Sequence, residues 1–354
     1  MLQAVRNLLI GAATLVIISV GAVNDAQAQQ TSQLNICHAG SVSSAFTQVK
    51  NEFESQNPGV VIKDTSGGSL DLVRQLANGI QECDLYATAD YTNIDLLLKP
   101  AGLADYNIIF AEGRMVLGYL ASNPNTRGIA RPGDFNPPGT IPEAVSNWYE
   151  IILRSGVKVG GSHPFLDPGA YRSHLIFQLA QSYYKVPNLY NDLLKHYTTF
   201  SLTQAASKTN ASSNQSALSS DFQFSYEHSA QATAKKNPDY RYVYLPDDVD
   251  LSNSKKNSDY SGATIVVPGL GLPGTPLSAT IPGTRVAWGV TLFNRARNRE
   301  NAIKFLQLLL GSTGKSALGL YGPSPVSPAS VSPADYQKIP DPLKALVTAT
   351  KLSR

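Results

Sequence analysis

The sequence is poor in the residues that usually perform catalysis or hold metal ions. It contains two cysteines and five histidines in 354 residues, and none of them stands at the spacing of paired metal ligands. A P-loop for phosphate binding and a GxSxG nucleophile elbow are also absent. These absences argue against P-loop enzymes, zinc proteins and serine hydrolases, and they leave a binding protein as the favoured class.

An excess of charge of one sign is also missing. The chain carries 29 Lys and Arg against 26 Asp and Glu, a formal net charge of +3. The basic residues are spread along the sequence and do not form a block. Such a balance gives no indication of a nucleic-acid surface.

Long apolar runs are missing except within the first 28 residues. There, a short basic start, an apolar segment and the small residues Ala26, Gln27 and Ala28 predict a secretory signal peptide cut after Ala28. The apolar segment is shorter than the ~20 residues that span a bilayer, so a membrane anchor is the less favoured alternative. No cysteine follows the cleavage site directly, which disfavours a lipid anchor. We therefore expect a soluble periplasmic or extracytoplasmic protein.

The rest of the chain is long enough for two domains. Removing 28 of the 354 residues leaves about 326, more than one hydrophobic core usually organises. Short apolar strands, polar turns and amphipathic helices alternate from residue 34 to residue 91, which predicts an α/β fold with mostly parallel sheets. We predict a lobe I from residues 30–114 and 285–354, and a lobe II from residues 115–284.

The two cysteines lie in neighbouring predicted strands. Cys37 stands near the end of one strand and Cys83 near the start of another. If the strands are parallel, the offset approaches three residues, or on the order of 10 Å. That distance is too long for a disulfide, although an exported chain could oxidise both thiols. The pairing is left open because the register is not known.

Two serines mark candidate ligand contacts. Ser41 and Ser69 each follow a predicted strand and precede a predicted helix. In open α/β sheets, ligands bind beyond the carboxyl ends of the strands, so both hydroxyls are expected to face one crevice. The alternative is that each serine only caps the helix behind it.

Two carboxylates occupy comparable places in the second half of the chain. Asp167 precedes Pro168 and an amphipathic helix, and Glu227 follows the alternating strand at residues 222–226. The start of a helix favours anions, so a carboxylate there is unexpected if the ligand is itself an anion. Glu227 could instead be an exposed residue at the rim. A cleft with serine hydroxyls and no cluster of Arg or Lys suits a small dehydrated oxyanion.

Eight stretches together make the sequence resemble a known family, the periplasmic substrate-binding proteins of molybdate/tungstate ABC transporters in their archaeal-type branch. The resemblance covers nearly all of the chain after residue 28. One motif departs from the family pattern, since Asp-Pro-x-Gly-Tyr-Arg reads Asp-Pro-Gly-Ala-Tyr-Arg here, and the Ser/Asn-rich run 201–220 replaces a more regular helical segment. The matching stretches are 38–41 (HAGS), 67–69 (GGS), 87–91 (ATADY), 147–160 (NWYEIILRSGVKVG), 166–173 (LDPGAYRS), 224–230 (FSYEHSA), 245–253 (LPDDVDLSN) and 286–293 (VAWGVTLF).

The resemblance implies a class II periplasmic-binding-protein fold, with two α/β lobes joined by hinge crossovers near residues 115–120 and 285–292. It implies that Ser41 and Ser69 hydrogen-bond the oxyanion, and that Asp167 and Glu227 bind its molybdenum or tungsten atom directly. It further implies a monomer that delivers its ligand to a membrane permease, with no catalytic residue and no cofactor. Two alternatives stay open: the same fold binding sulfate or phosphate, and a sensor or enzyme on a bilobal scaffold.

Overall fold

The computed structural model describes residues 32–129, 144–199 and 220–351. The predicted signal peptide and residues 201–219 of the Ser/Asn-rich run lie outside these ranges. The strands are β1 Ser32–Ala39, β2 Val60–Gly67, β3 Leu85–Thr88, β4 Ile108–Glu112, β5 Met115–Leu120, β6 Val159–Gly161, β7 Tyr197–Thr199, β8 Phe222–Tyr226, β9 Tyr240–Val243, β10 Thr264–Pro268, β11 Ser278–Pro282, β12 Ala287–Leu292, β13 Ser324–Val331 and β14 Val347–Ala349. The helices are α1 Ser43–Gln56, α2 Ser69–Ala77, α3 Trp148–Ile152, α4 Pro168–Tyr184, α5 Leu189–His196, α6 Glu227–Lys236, α7 Asn257–Tyr260, α8 Arg299–Leu310, α9 Ser312–Tyr321, α10 Pro333–Tyr336 and α11 Asp341–Lys344.

The first sheet contains seven strands in the order β14-β13-β4-β12-β3-β1-β2. Strand β1 pairs in parallel with β2 and with β3, as the alternation of strands and helices predicts. All six residues of the central strand β12 are buried. The helix α1 packs its aromatic residues Phe46 and Phe53 against Phe305 of α8. We call this sheet and its helices the first lobe.

The second sheet contains five strands in the order β7-β6-β8-β5-β9. Strand β8 alternates buried and half-buried residues, which is the pattern of a strand with one face on a core. Its buried Phe224 packs against Trp148 of α3 and Phe177 of α4. We call this sheet and its helices the second lobe.

Both sheets are mixed, which corrects the prediction of mostly parallel sheets. Strands β5 and β12 each run antiparallel to both of their neighbours. The chain passes between the sheets at residues 113–114 and 283–286, directly before these two strands. A strand that enters from the other lobe begins at the carboxyl ends of its neighbours, as Met115 does opposite Tyr226, and must therefore run against them.

A two-stranded hairpin, β10 with β11, belongs to the second half of the chain and forms its own small sheet. Its connection contains the sequence GLGLPG at residues 269–274. This run matches the GxGxxG spacing, but it joins two antiparallel strands. A dinucleotide site requires such a run between a strand and a helix, so the match carries no function.

The structure pairs Cys37 with Cys83 in a disulfide, with 5.9 Å between their Cα atoms. The predicted offset of three residues is confirmed, since Cys37 lies opposite Tyr86. The distance of about 10 Å expected along straight strands is wrong, because the chain bends at Asp84, before β3 begins. The buried Asp84 is drawn toward β1 by two hydrogen bonds with Asn35, one from each main-chain N–H. Among the helices described, none is long and apolar enough to cross a membrane.

Candidate ligand-binding site

The four predicted site residues all lie where a strand or loop leads into a helix. Ser41 lies in a single 3-10 turn, Gly40–Val42, between β1 and α1. Ser69 and Glu227 are the first residues of α2 and α6, and Asp167 directly precedes α4. This placement agrees with the positions predicted from the sequence.

Neither serine side chain caps a helix, which removes the alternative considered for them. The Oγ of Ser41 accepts a hydrogen bond from Nε1 of Trp288 at 2.9 Å. The Oγ of the fully buried Ser69 accepts one from the main-chain N–H of Ala89 at 3.0 Å. A hydroxyl has one hydrogen. The side chain of Ser69 also forms a hydrogen bond with Tyr86, whereas within the part of the chain that the structure describes Ser41 has no acceptor for its hydrogen. The hydroxyl of Ser41 is therefore available to donate.

Asp167, which the resemblance implies as a ligand of the metal atom, also caps α4. Its Oδ1 accepts a hydrogen bond from the N–H of Gly169 at 3.2 Å, and its Oδ2 accepts one from the hydroxyl of Ser162 at 2.7 Å. A carboxylate can accept about four hydrogen bonds, so capping leaves part of its capacity free. No cation among the described residues forms an ion pair with Asp167.

Glu227, by contrast, has a cationic partner. Its Oε1 accepts hydrogen bonds from the hydroxyl of Tyr244 at 2.5 Å and from Nε2 of Gln231 at 3.2 Å. Its Oε2 lies 3.6 Å from Nε of Arg114, and the Glu227 side chain is 27% exposed. The side chain is thus half-buried and engaged, so it differs from the freely exposed rim residue considered as its alternative. The sequence did not indicate that Arg114 would lie beside this candidate ligand residue.

A buried polar network connects the two lobes behind these residues. Arg172 of α4 is 1% exposed, and its Nη1 donates to the main-chain oxygen of Ala89 at 2.7 Å and to the hydroxyl of Tyr226 at 2.8 Å. Its Nη2 lies 3.4 Å from Oδ2 of Asp90, which compensates the charge. Because the N–H of Ala89 also donates to Ser69, the network links the second lobe to one of the two candidate serines.

Aromatic residues from both lobes pack together near Ser41. The ring of Tyr226 packs against Trp288 with 4.9 Å between ring centroids, and the ring of His228 lies 5.5 Å from Trp288. Nε2 of His228 lies 2.8 Å from the main-chain oxygen of Ser41. Burial lowers the pKa of His228 to about 4, against a smaller opposing effect of this hydrogen bond. The imidazole is therefore neutral near pH 7 and donates its Nε2–H to Ser41.

The lobes touch at the start of α2. The main-chain oxygen of Leu166 accepts hydrogen bonds from the N–H groups of Leu70 and Asp71 at 3.1 and 3.2 Å. Arg74 of α2 donates to the main-chain oxygens of Phe165, Pro268 and Gly269 at 2.5, 3.1 and 3.3 Å. These contacts hold the second lobe and the hairpin against the first lobe, so the structure shows a closed arrangement.

Sequence reasoning missed four residues that shape this region. Three of them lie inside stretches that carry the family resemblance: Ala89 in ATADY, Arg172 in LDPGAYRS and Trp288 in VAWGVTLF. The fourth, Arg114, had no signal other than its place at the predicted boundary between the lobes. Across the described ranges, no group of three or more His, Cys, Asp or Glu could hold a metal ion.

Comparison with known proteins supports the resemblance. The model of the family of bacterial extracellular solute-binding proteins matches residues 34–322. The chain is 28% identical to the molybdate/tungstate-binding protein WtpA of Thermococcus kodakarensis over 99% of both chains. The expected resemblance to molybdate/tungstate-binding proteins is thereby confirmed.

Two solved structures share the fold. The periplasmic molybdate-binding protein of Azotobacter vinelandii superimposes with a TM-score of 0.52 at 16% identity, covering 83% of this chain and 98% of that chain. The sulfate-binding protein SubI of Mycobacterium tuberculosis gives a TM-score of 0.55 at 16% identity, covering 87% and 90%. The predicted periplasmic-binding-protein fold is confirmed, whereas a likeness at this identity carries no information on the ligand.

Proposed function

Since this chain belongs to the family of bacterial extracellular solute-binding proteins, we propose that it captures molybdate or tungstate between its two lobes and delivers the ion to an ABC transporter permease. The observation that carries oxyanion binding is the pair of serine hydroxyls. Each lies where a strand leads into a helix and accepts a hydrogen bond from a fixed N–H group, and among the described residues Ser41 has no acceptor for its own hydrogen. Neutral donors of this kind satisfy the oxygens of a dehydrated oxyanion.

The carboxylates supply the reason for choosing molybdate or tungstate among oxyanions. Molybdenum and tungsten in these ions are large, hard Lewis acids that accept oxygen ligands beyond the four they carry, and carboxylates suit such metals. The sulfur of sulfate is too small to accept another oxygen. A carboxylate beside sulfate would repel it by a few kcal/mol at an effective dielectric constant near ~20. We propose that Asp167 and Glu227 bind the metal atom and thereby exclude sulfate.

The transport role needs motion of the lobes and no covalent chemistry. We propose that lobe I (residues 30–114 and 285–354) and lobe II (residues 115–284) close on the ion as rigid bodies about the two crossovers. The closed monomer then presents both lobes to the permease outside the cytoplasm. We propose no catalytic step and no cofactor apart from the transported ion.

Sulfate is the second candidate ligand, and one observation favours it. Arg114 lies 3.6 Å from Glu227 and offsets part of its charge, which weakens the repulsion that the proposal assigns to that carboxylate. A titration of the purified protein with tungstate, molybdate and sulfate decides between the two. We expect tight binding of the first two ions, whereas binding of sulfate without tungstate would refute the proposal.

The variant Asp167→Asn tests the coordination directly. Asparagine is as good a helix cap as aspartate, so α4 is preserved while the charged ligand is lost. We expect tungstate affinity to fall at least about tenfold, or about 1.4 kcal/mol, and sulfate binding to appear. Asp192→Asn, which removes a carboxylate from an ion pair between exposed side chains on α5, is the matched control. Unchanged tungstate affinity in Asp167→Asn would exclude coordination by this residue.

A further inference from the structure

The two candidate carboxylates are electrostatically unequal. Within the described ranges the carboxylate of Asp167 accepts hydrogen bonds only from Ser162 and Gly169 and has no ion-pair partner. Glu227 lies beside a guanidinium, with 3.6 Å between its Oε2 and Nε of Arg114. A sulfate ion in the cleft would therefore meet an uncompensated charge at Asp167 and a partly compensated one at Glu227.

Several contacts fix Arg114 in this position. It lies at residues 113–114, where the chain first passes from one sheet to the other, and its main-chain oxygen accepts a hydrogen bond from the N–H of Glu227 at 3.1 Å. Its guanidinium lies over the ring of Tyr244, 5.2 Å from the centroid, and the hydroxyl of Tyr244 donates to Glu227. The fully buried Asp250 holds the other side, with 3.8 Å between its Oδ2 and Nη1 of Arg114.

We propose that Arg114 is a specificity-determining residue of the oxyanion site. It offsets the charge of Glu227, so Asp167 alone supplies most of the repulsion against sulfate. This inference rests on the proposed function and gives different roles to its two carboxylates. Glu227 contributes its oxygens to the metal atom, and Arg114 keeps its charge from opposing the approach of any oxyanion.

The test measures sulfate affinity in an Asp167→Asn background, where sulfate binding becomes measurable. Adding Arg114→Gln exposes the charge of Glu227, so sulfate affinity is expected to fall about tenfold or more. Adding Glu227→Gln to that double variant removes the exposed charge, and sulfate affinity should return to within about threefold of the Asp167→Asn value. A purely structural role of Arg114 would not be rescued by changing Glu227.

Arg285→Gln is the matched control in the same background. It removes one positive charge at the other crossover, where Arg285 pairs with Glu112 and not with Glu227, and it should change sulfate affinity less than about twofold. The proposal is wrong if Arg114→Gln leaves sulfate affinity unchanged, or if Glu227→Gln fails to restore it.

Two further variants keep the test decisive if Arg114→Gln does not fold. Arg114→Lys retains the charge and should bind sulfate as the background does. Glu227→Gln alone in the Asp167→Asn background leaves the charge of Arg114 uncompensated and should raise sulfate affinity about tenfold or more; unchanged sulfate affinity would contradict the proposal. Failure of the wild-type protein to bind tungstate would instead refute the proposed function, while the Arg114 series could still be measured with sulfate.

Discussion

Gly68 shows how closely the two lobes approach each other at a single residue. A Cβ atom at this position would lie 2.5 Å from the main-chain oxygen of Leu166 and 3.2 Å from its carbonyl carbon. That same oxygen accepts the two hydrogen bonds from the start of α2. Backbone atoms cannot move aside as a flexible side chain does, so closure requires glycine here.

We expect Gly68→Ala to weaken tungstate binding about tenfold or more, because the added methyl group opposes closure and only the closed population binds fully. The ratio of tungstate to molybdate affinity should stay as in the wild type, since no group that contacts the ion changes its chemistry. Titration calorimetry measures both affinities. Gly319→Ala is the control, because a Cβ there meets nothing within 4 Å and alanine favours a helix interior. Wild-type affinity in Gly68→Ala would show that closure tolerates a shift at Leu166.

At the scale of elements, α2 and α4 form the two sides of the site. Helix α4 runs from Pro168 to Tyr184 with Asp167 as its cap, and proline at the first helical position indicates this start from sequence alone. Helix α2 begins at Ser69 and reaches the second lobe through Arg74. The direction of the Arg74 side chain depends on the hairpin it contacts, 194 residues further along the chain, and no local pattern contains that information.

Helix α4 also carries a histidine that makes stability depend on pH. The Nε2 of His174 is buried and has no hydrogen-bond partner among the described residues. Burial lowers the pKa of His174 to about 4, and the nearby His163 adds to the effect. The pKa in the folded protein lies below the ordinary value, so the unfolded chain binds the proton more tightly. The contribution of the neutral His174 to stability is therefore fully present above pH 6.5 and is lost as the pH falls toward 4.

We expect His174→Phe to remove this loss, because phenylalanine does not titrate and retains the edge contact with Tyr197. The difference in the free energy of unfolding, variant minus wild type, should be larger at pH 4 than at pH 7.5, by up to about 3 kcal/mol. Urea denaturation at the two pH values measures the difference. An equal difference at both values would show that His174 does not couple folding to pH.

For the whole molecule, the sequence was informative about local order and uninformative about distant contacts. The alternation of strands and helices predicted the α/β class, and Ser41 and Ser69 lie at strand-to-helix turns as predicted. The mixed sheets were not predicted, because the direction of β5 and β12 depends on the side from which the chain enters each sheet. The ion pair between Arg114 and Glu227 joins residues 113 positions apart by their numbers (227 − 114), so periodicity could not indicate it.

The disulfide is a further long-range contact, and it sets an expectation for the stability of the whole molecule. Cys37 and Cys83 are separated by 46 positions, and closing a loop of that length is worth about 4 kcal/mol in the chain-entropy description. The double variant Cys37→Ala/Cys83→Ala should lose about this much stability, which lowers the melting temperature by roughly 6 °C for a chain of this size. Tungstate binding should persist, because neither cysteine is among the residues assigned to the site. A reducing agent should lower the melting temperature of the wild type by a similar amount and leave that of the double variant unchanged. Equal melting temperatures of the oxidised wild type and the double variant would show that the disulfide does not stabilise the fold.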